Sequence, residues 1–145
     1  MVTKLGSSGD GHTREFPAML EEVRRVRQFA AGVVASHPCA DEVLLAASEL
    51  AANAVEHSTA DRHGRIRVRV VHVADAVHIE VEDPGGAGAP QLGRGGQEAT
   101  RGRGLLLVDN LSRDWGITHD RNRTRVWCEI GCACTGIPVM GEMAA

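Results

Sequence analysis

Arg65-Ile66-Arg67-Val68-Arg69-Val70-Val71-His72-Val73-Ala74-Asp75-Ala76-Val77-His78-Ile79-Glu80-Val81-Glu82 decides the fold class. It holds two runs that alternate apolar and charged residues on either side of Ala74-Asp75, the pattern of a β-hairpin with a two-residue turn. Pairing Val73 with Ala76 sets Arg69 against Glu80 and Arg67 against Glu82 on one face. The same register sets Val70 against Ile79 and Val68 against Val81 on the other. Each such pair contributes roughly 0.2–1 kcal/mol. The result is a sheet with one wet face and one packed face, so helices are expected to cover the packed face only.

Two helical stretches precede the hairpin. Between Met19 and Ser36, Leu20, Val23, Val26, Phe29, Ala30, Val33 and Val34 recur at steps of three and four, with Arg24, Arg25, Arg27 and Gln28 mostly opposite. A short strand, His12 to Phe16, is expected before it, with Pro17 opening the helical region. The Ser36-His37-Pro38-Cys39 stretch breaks the first helix. Asp41 then reads as the N-cap of a second helix over Glu42 to His57. After the hairpin, Asp83 to Arg103 is glycine-rich and aperiodic, the pattern of a functional lid or a disordered segment. A short helix is expected over Leu105 to Asn110, then two strands, Trp115 to His119 and Thr124 to Ile130. These elements add up to an α/β (α+β) two-layer sandwich, helices on one face of a mixed, mostly antiparallel sheet. Residues 1–11 read as a disordered leader, 12–131 as the domain and 132–145 as a flexible tail.

Composition narrows the functional classes. The chain has 145 residues, enough for one core, with only Phe16, Phe29, Trp115 and Trp127 as aromatics. The core must be built from Val, Leu, Ile and Ala. A net charge of −3 argues against a duplex-DNA binder, and the scarcity of aromatics against a base-stacking platform. No apolar run approaches the roughly 18 residues that a membrane span needs, and no signal peptide is evident. Cytoplasmic residence is expected. Cys39, Cys128, Cys132 and Cys134 lack the spacing of a zinc site and read as reduced thiols, buried or incidental.

Three short features carry chemistry. Glu49, Asn53 and His57 share one face of the second helix. Asn is a poor helix-interior residue, although alone the pattern also fits a solvated stripe. Asp83-Pro84-Gly85-Gly86 ends a strand with a carboxylate that can accept from an exocyclic amine, and with a glycine that lets a flat ring approach; alone it also fits a turn. Gly102-Arg103-Gly104-Leu105 enters a helix N-terminus, where free N–H groups favour phosphate. Neither a P-loop nor a Rossmann fingerprint is present.

In this order the three features resemble the histidine-kinase-like ATPases, which include sensor-kinase ATP domains, gyrase and MutL. Glu49-Leu-Ala-Ala-Asn53-Ala-Val-Glu-His57 looks like the N-box, Val81-Glu82-Asp83-Pro84-Gly85 the D-x-G box, and Gly102 to Leu105 the glycine box. Within that superfamily the chain is most similar to short bacterial anti-sigma factor and serine-protein-kinase domains. Phe16-Pro17, Ser48 to His57, Gly102 to Gly116 and Val126-Trp127-Cys128-Glu129-Ile130 match their motifs in order. The resemblance implies ATP and Mg2+ as ligands. Asn53 would hold the metal and Glu49 would be the general base. Asp83 would bind the adenine amino group and Gly85 would let the base pack. Gly102, Arg103, Gly104 and Leu105 would meet the phosphates, and Thr124 would support Asp83 through a hydroxyl or a water.

The implied function is an anti-sigma factor type protein kinase. It would phosphorylate a serine or threonine on an antagonist protein and sequester a sigma factor, with a homodimer among the expected assemblies and no direct nucleic-acid or membrane partner. The alternative is a non-catalytic module that sequesters its partner, with nucleotide as a structural ligand or absent. The chain departs from the family pattern at three places, and the first two favour this alternative. Glu56 stands where relatives are often basic, and Ala87 displaces the second glycine of D-x-G-x-G. Arg125 stands where a threonine is usual, with Thr124 one residue earlier. A one-residue shift in a strand turns a side chain to the other face. With no phospho-acceptor helical region or transducer in the 145 residues, a complete sensor kinase and a gyrase-like switch are not expected.

Overall fold

The computed structural model describes residues 11–57, 64–83, 105–120 and 123–132. Strand β1 (Gly11–Pro17) is followed by a 3-10 turn (Leu20–Glu22) and helices α1 (Val23–Val34) and α2 (Ala40–His57). Strands β2 (Arg65–Val73) and β3 (Ala76–Asp83) come next. Helix α3 (105–111) precedes strands β4 (Asp114–Asp120) and β5 (Arg123–Gly131). Residues 1–10 of the expected leader, residues 84–104 and residues 133–145 of the expected tail lie outside the described residues.

The hairpin has the register that its alternation dictates: Val73 pairs with Ala76, Arg69 with Glu80 and Arg67 with Glu82. The five strands are ordered β1-β2-β3-β5-β4. All four pairings are antiparallel, so no parallel pair of the expected mixed sheet occurs among the described residues. On the packed face Ile66, Val68, Val70, Val77, Ile79, Val81, Val126, Cys128 and Ile130 are buried. Over them lies α2, whose Val43, Ala46, Ala47, Leu50, Ala51 and Ala54 are buried too. Four of these six are alanines, so the small side chains of α2 and the branched ones of the sheet make a core that needs few aromatics. Helix α1 adds Val26, Ala30 and Val34 from one row of its surface.

Two boundaries differ from the sequence expectation. Pro17 ends β1, paired with Arg65, instead of opening a helix. At an edge strand its missing N–H costs no ladder bond. Helix α2 starts at Ala40, and the Val43 N–H donates to the Cys39 carbonyl at 3.0 Å. Cys39 is therefore the capping position, and Asp41 lies inside the first turn, where its charge with that of Glu42 complements the helix dipole. The cysteine reading also changes. Cys39 and Cys132, 93 residues apart, form a disulfide with Cα atoms 5.3 Å apart. Cys128 remains free and buried. Linear spacing hid the pair because the sheet, not the local sequence, brings them together.

The wet face carries a charge ladder. Arg67 reaches Glu82 at 3.2 Å and Glu15 at 3.4 Å. Glu82, nearly enclosed, also meets Arg123 and Arg125, each at 3.5 Å. Glu80 is ion-paired with Arg125 at 3.4 Å and lies 3.3 Å from the His78 ring, so its polar contacts run to β5 as well as along its own strand.

Candidate nucleotide site

The disulfide orients the site. It fixes the start of α2 beside the end of β5, and the Cys132 N–H donates to the Asp75 carbonyl at the hairpin turn. From there α2 runs 18 residues, about 27 Å at 1.5 Å per residue, over β3 and β5. Its later turns, with Glu49 and Asn53, therefore approach the opposite end of the sheet, where β3 ends at Asp83 and β5 begins. Leu111 at the far end of α3 shares a groove with Cys39 and Cys132, leaving Leu105 at the end away from the disulfide.

Asn53 is only 7% exposed, one of three polar or charged residues buried among the described residues. Burying an amide without a partner costs about 1–3 kcal/mol, so a buried Asn in a helix interior marks a place for a polar contact. An amide oxygen suits a hard cation that keeps part of its water shell. Glu49, one turn earlier, is half-buried. Neighbouring Ser48 donates its hydroxyl to the Leu44 carbonyl at 2.9 Å, which satisfies it within the helix.

Asp83 is the direct cross-strand partner of Thr124, and both are half-buried. The shift that brings threonine to 124 does not turn it away from Asp83, because the β3–β5 register sets these two residues opposite each other. Glu82 and Arg125, the next pair, face the wet side. The Thr124 hydroxyl stands 3.4 Å from Nδ1 of His119 on β4. Sequence reading found Arg67 opposite Glu82 but missed Arg123 and Arg125 on the same carboxylate. Their alternation along β5 was the available signal. Together they clamp the strand ends that carry Asp83 and Thr124.

Leu105, the first described residue of α3, is half-buried, and Val108 anchors the helix in the core. Two bonds fix its exit: the Ser112 hydroxyl donates to the Val108 carbonyl at 2.6 Å, and the Trp115 indole N–H to Asp109 at 2.8 Å. Gly85, Gly102, Arg103 and Gly104, and the loop 86–101 expected as a lid, lie outside the described residues. A separate groove of about 560 Å³ between β1 and α1, lined by His12, Arg14, Arg25, Gln28, Phe29, Gly32 and Val33, contains none of the predicted site residues.

The model of the histidine kinase-like ATPase domain family matches residues 16–130. The chain belongs to that family. The match takes in Glu49, Asn53, Asp83, the glycine box and Thr124. In fold, this ATPase domain is similar to the structure of the RsbU and RsbW domains of Rv1364c from Mycobacterium tuberculosis, with TM-score 0.61 and 22% identity over 83% of this chain and 32% of that one. It is also similar to the Erythrobacter litoralis EL346 blue-light activated histidine kinase, with TM-score 0.54 and 21% identity over 81% of this chain and 42% of that one. The chain thus spans about a third to two fifths of those proteins. No curated protein gives a significant match. Among the described residues no helix is long and apolar enough to cross a membrane.

Proposed function

We propose that this ATPase domain binds Mg-ATP and transfers the γ-phosphoryl group to a serine or threonine of an antagonist protein, in the manner of an anti-sigma factor kinase. The observation that carries the reading is the buried Asn53 one helical turn from Glu49, on the helix that runs toward Asp83. Asn53 holds the metal through its amide oxygen, and the bound Mg2+ supplies charge neutralisation across the phosphates. Glu49 accepts the proton of the attacking hydroxyl. Asp83 accepts from the adenine amino group, with Thr124 beside it, and Gly85 leaves room for the ring. Gly102, Arg103, Gly104 and Leu105 offer backbone N–H groups to the phosphates at the start of α3. A sigma factor is the sequestered partner, the protein acts in the cytoplasm, and a homodimer is its assembly. Radiolabel transfer from ATP to a cognate antagonist tests the reading. Wild type transfers and Glu49→Ala does not; equal transfer by both removes Glu49 as the base.

A second reading rests on Glu56 and on Ala87 in the displaced D-x-G-x-G. A carboxylate near the phosphates opposes binding, and a non-catalytic sequestering module would tolerate it. Calorimetry with millimolar Mg-ATP separates the two: absence of heat favours sequestration without nucleotide.

A further inference from the structure

The Cys39–Cys132 bond joins the capping position of α2 to the first residue beyond β5. Both residues are nearly buried, yet they line a surface groove of about 220 Å³ with Pro38, Glu42, Leu111, Ile130 and Gly131. Cys128, two strand positions before Ile130, is fully enclosed, and burial pushes its thiol up to about 12. The disulfide's two residues therefore border a surface groove, while the third described cysteine is enclosed and inert.

We infer that Cys39–Cys132 is a reversible thiol–disulfide exchange site, opened by a dithiol reductant that enters this groove and closed again by a disulfide oxidant. One thiolate of the dithiol attacks Cys132 Sγ. The S–S bond breaks, and its electron pair leaves on Cys39 Sγ, which takes up a proton. The second thiol of the reductant then attacks the mixed disulfide and releases Cys132 as a thiol, so the dithiol ends as a disulfide and the protein gains two S–H groups. Departure from Cys39 is the favoured direction because the N-terminus of an 18-residue helix stabilises a thiolate at its cap. Glu42 at the rim disfavours anionic thiols, so an uncharged dithiol is the better reductant.

The pair can close again because each half is held without the bond. The Cys39 carbonyl accepts from Val43 N–H, and the Cys132 N–H donates to Asp75. Reduction leaves the two thiols facing each other in the native fold. It releases the unfolded chain from a 93-residue closure, so the consequence is a lower melting temperature. The site also ties redox state to the anchoring of α2, the helix that carries Glu49 and Asn53.

The test treats the full chain with dithiothreitol in native buffer, traps thiols with iodoacetamide and locates them by peptide mass spectrometry. Melting is recorded in parallel. The expected result is labelling of Cys39 and Cys132 well before Cys128, and recovery of the linked peptide with 2-hydroxyethyl disulfide. The melting temperature should drop on the order of 10 °C, and in Cys39→Ser melting should not respond to dithiothreitol. Labelling of Cys39 and Cys132 no faster than Cys128 would mean access only by global unfolding and would overturn the inference. So would free Cys39 and Cys132 thiols in the native chain after treatment with the uncharged 2-hydroxyethyl disulfide.

Discussion

Asp83 and Thr124 stand directly opposite each other across β3 and β5, so their side chains leave the sheet on the same face. A hydroxyl in that position can brace the carboxylate that is proposed to accept from adenine. Replacing Thr124 by Val keeps the β-branched shape and removes one hydrogen bond, about 0.5–1.5 kcal/mol. Titration calorimetry of Thr124→Val should therefore show Mg-ATP affinity lowered about threefold to tenfold. Asp83→Asn should lose more, because it reverses part of the donor–acceptor pattern. Equal affinity in wild type and Thr124→Val would remove Thr124 from the site.

Asn53 and Glu49 should separate binding from chemistry. Asn53→Ala deletes the amide that is proposed to hold the metal, so Mg-dependent ATP binding should fall at least about tenfold while ATP binding without Mg changes little. Glu49→Gln keeps size and polarity but cannot take a proton. Its ATP affinity should stay within about twofold while phosphoryl transfer drops on the order of 100-fold or more. Filter binding and single-turnover transfer read the two effects separately.

What the linear sequence conveyed follows from the range of each interaction. Alternation is local, so residues 65–82 specified the hairpin, its register and its wet face. Helical periodicity is local too, and placed Asn53 and Glu49 on one face. Cys39–Cys132 spans 93 residues and depends on the whole sheet closing, so no spacing rule could reveal it. Thr124 illustrates the same limit. A motif shift by one residue predicts a reversed side chain, but β5 pairs with β3 so that 124, not 125, faces Asp83's side. The start of α2 at Ala40 was missed because the helix is capped by backbone and tertiary contacts around Cys39, where a side-chain cap at Asp41 was expected.

Gly116 is held without a side chain by Trp127. A Cβ there would lie 2.9 Å from the indole, which is also stacked on His78 with ring centroids 5.6 Å apart. Gly116→Ala must shift the ring and break that stack, for a loss of roughly 1–3 kcal/mol in urea unfolding. In a Trp127→Leu background the same substitution should cost clearly less, which a double-mutant cycle measures.

Ala74 turns the β2–β3 hairpin with φ at 45°, a left-handed conformation that an L side chain tolerates poorly. It is exposed, so its methyl group contributes no packing. Ala74→Gly should stabilise the fold by about 0.5–1 kcal/mol, the relief of the left-handed strain exceeding the added flexibility of the unfolded chain. Thermal melting should show a rise of a few degrees, with ATP affinity unchanged because the turn lies at the end of the sheet away from Asp83.

Cys128 should dominate stability at alkaline pH. Burial, aided by the charge of Glu129, lifts its thiol from 9.0 to about 12. The raised value means that the folded chain keeps the proton which the unfolded chain gives up. Its stabilising contribution is complete below pH 9 and is lost as pH climbs toward 12, to a total of about 4 kcal/mol. Few other groups obscure that window: the chain has no tyrosine, Lys4 is its single lysine, and the disulfide-bonded cysteines do not titrate. Urea unfolding at steps from pH 8 to pH 11 should show stability falling with a slope near one proton per molecule. Cys128→Ala, although less stable at pH 8 for want of a sulfur atom in the core, should lose most of that slope. An unchanged slope would place the alkaline transition elsewhere in the chain.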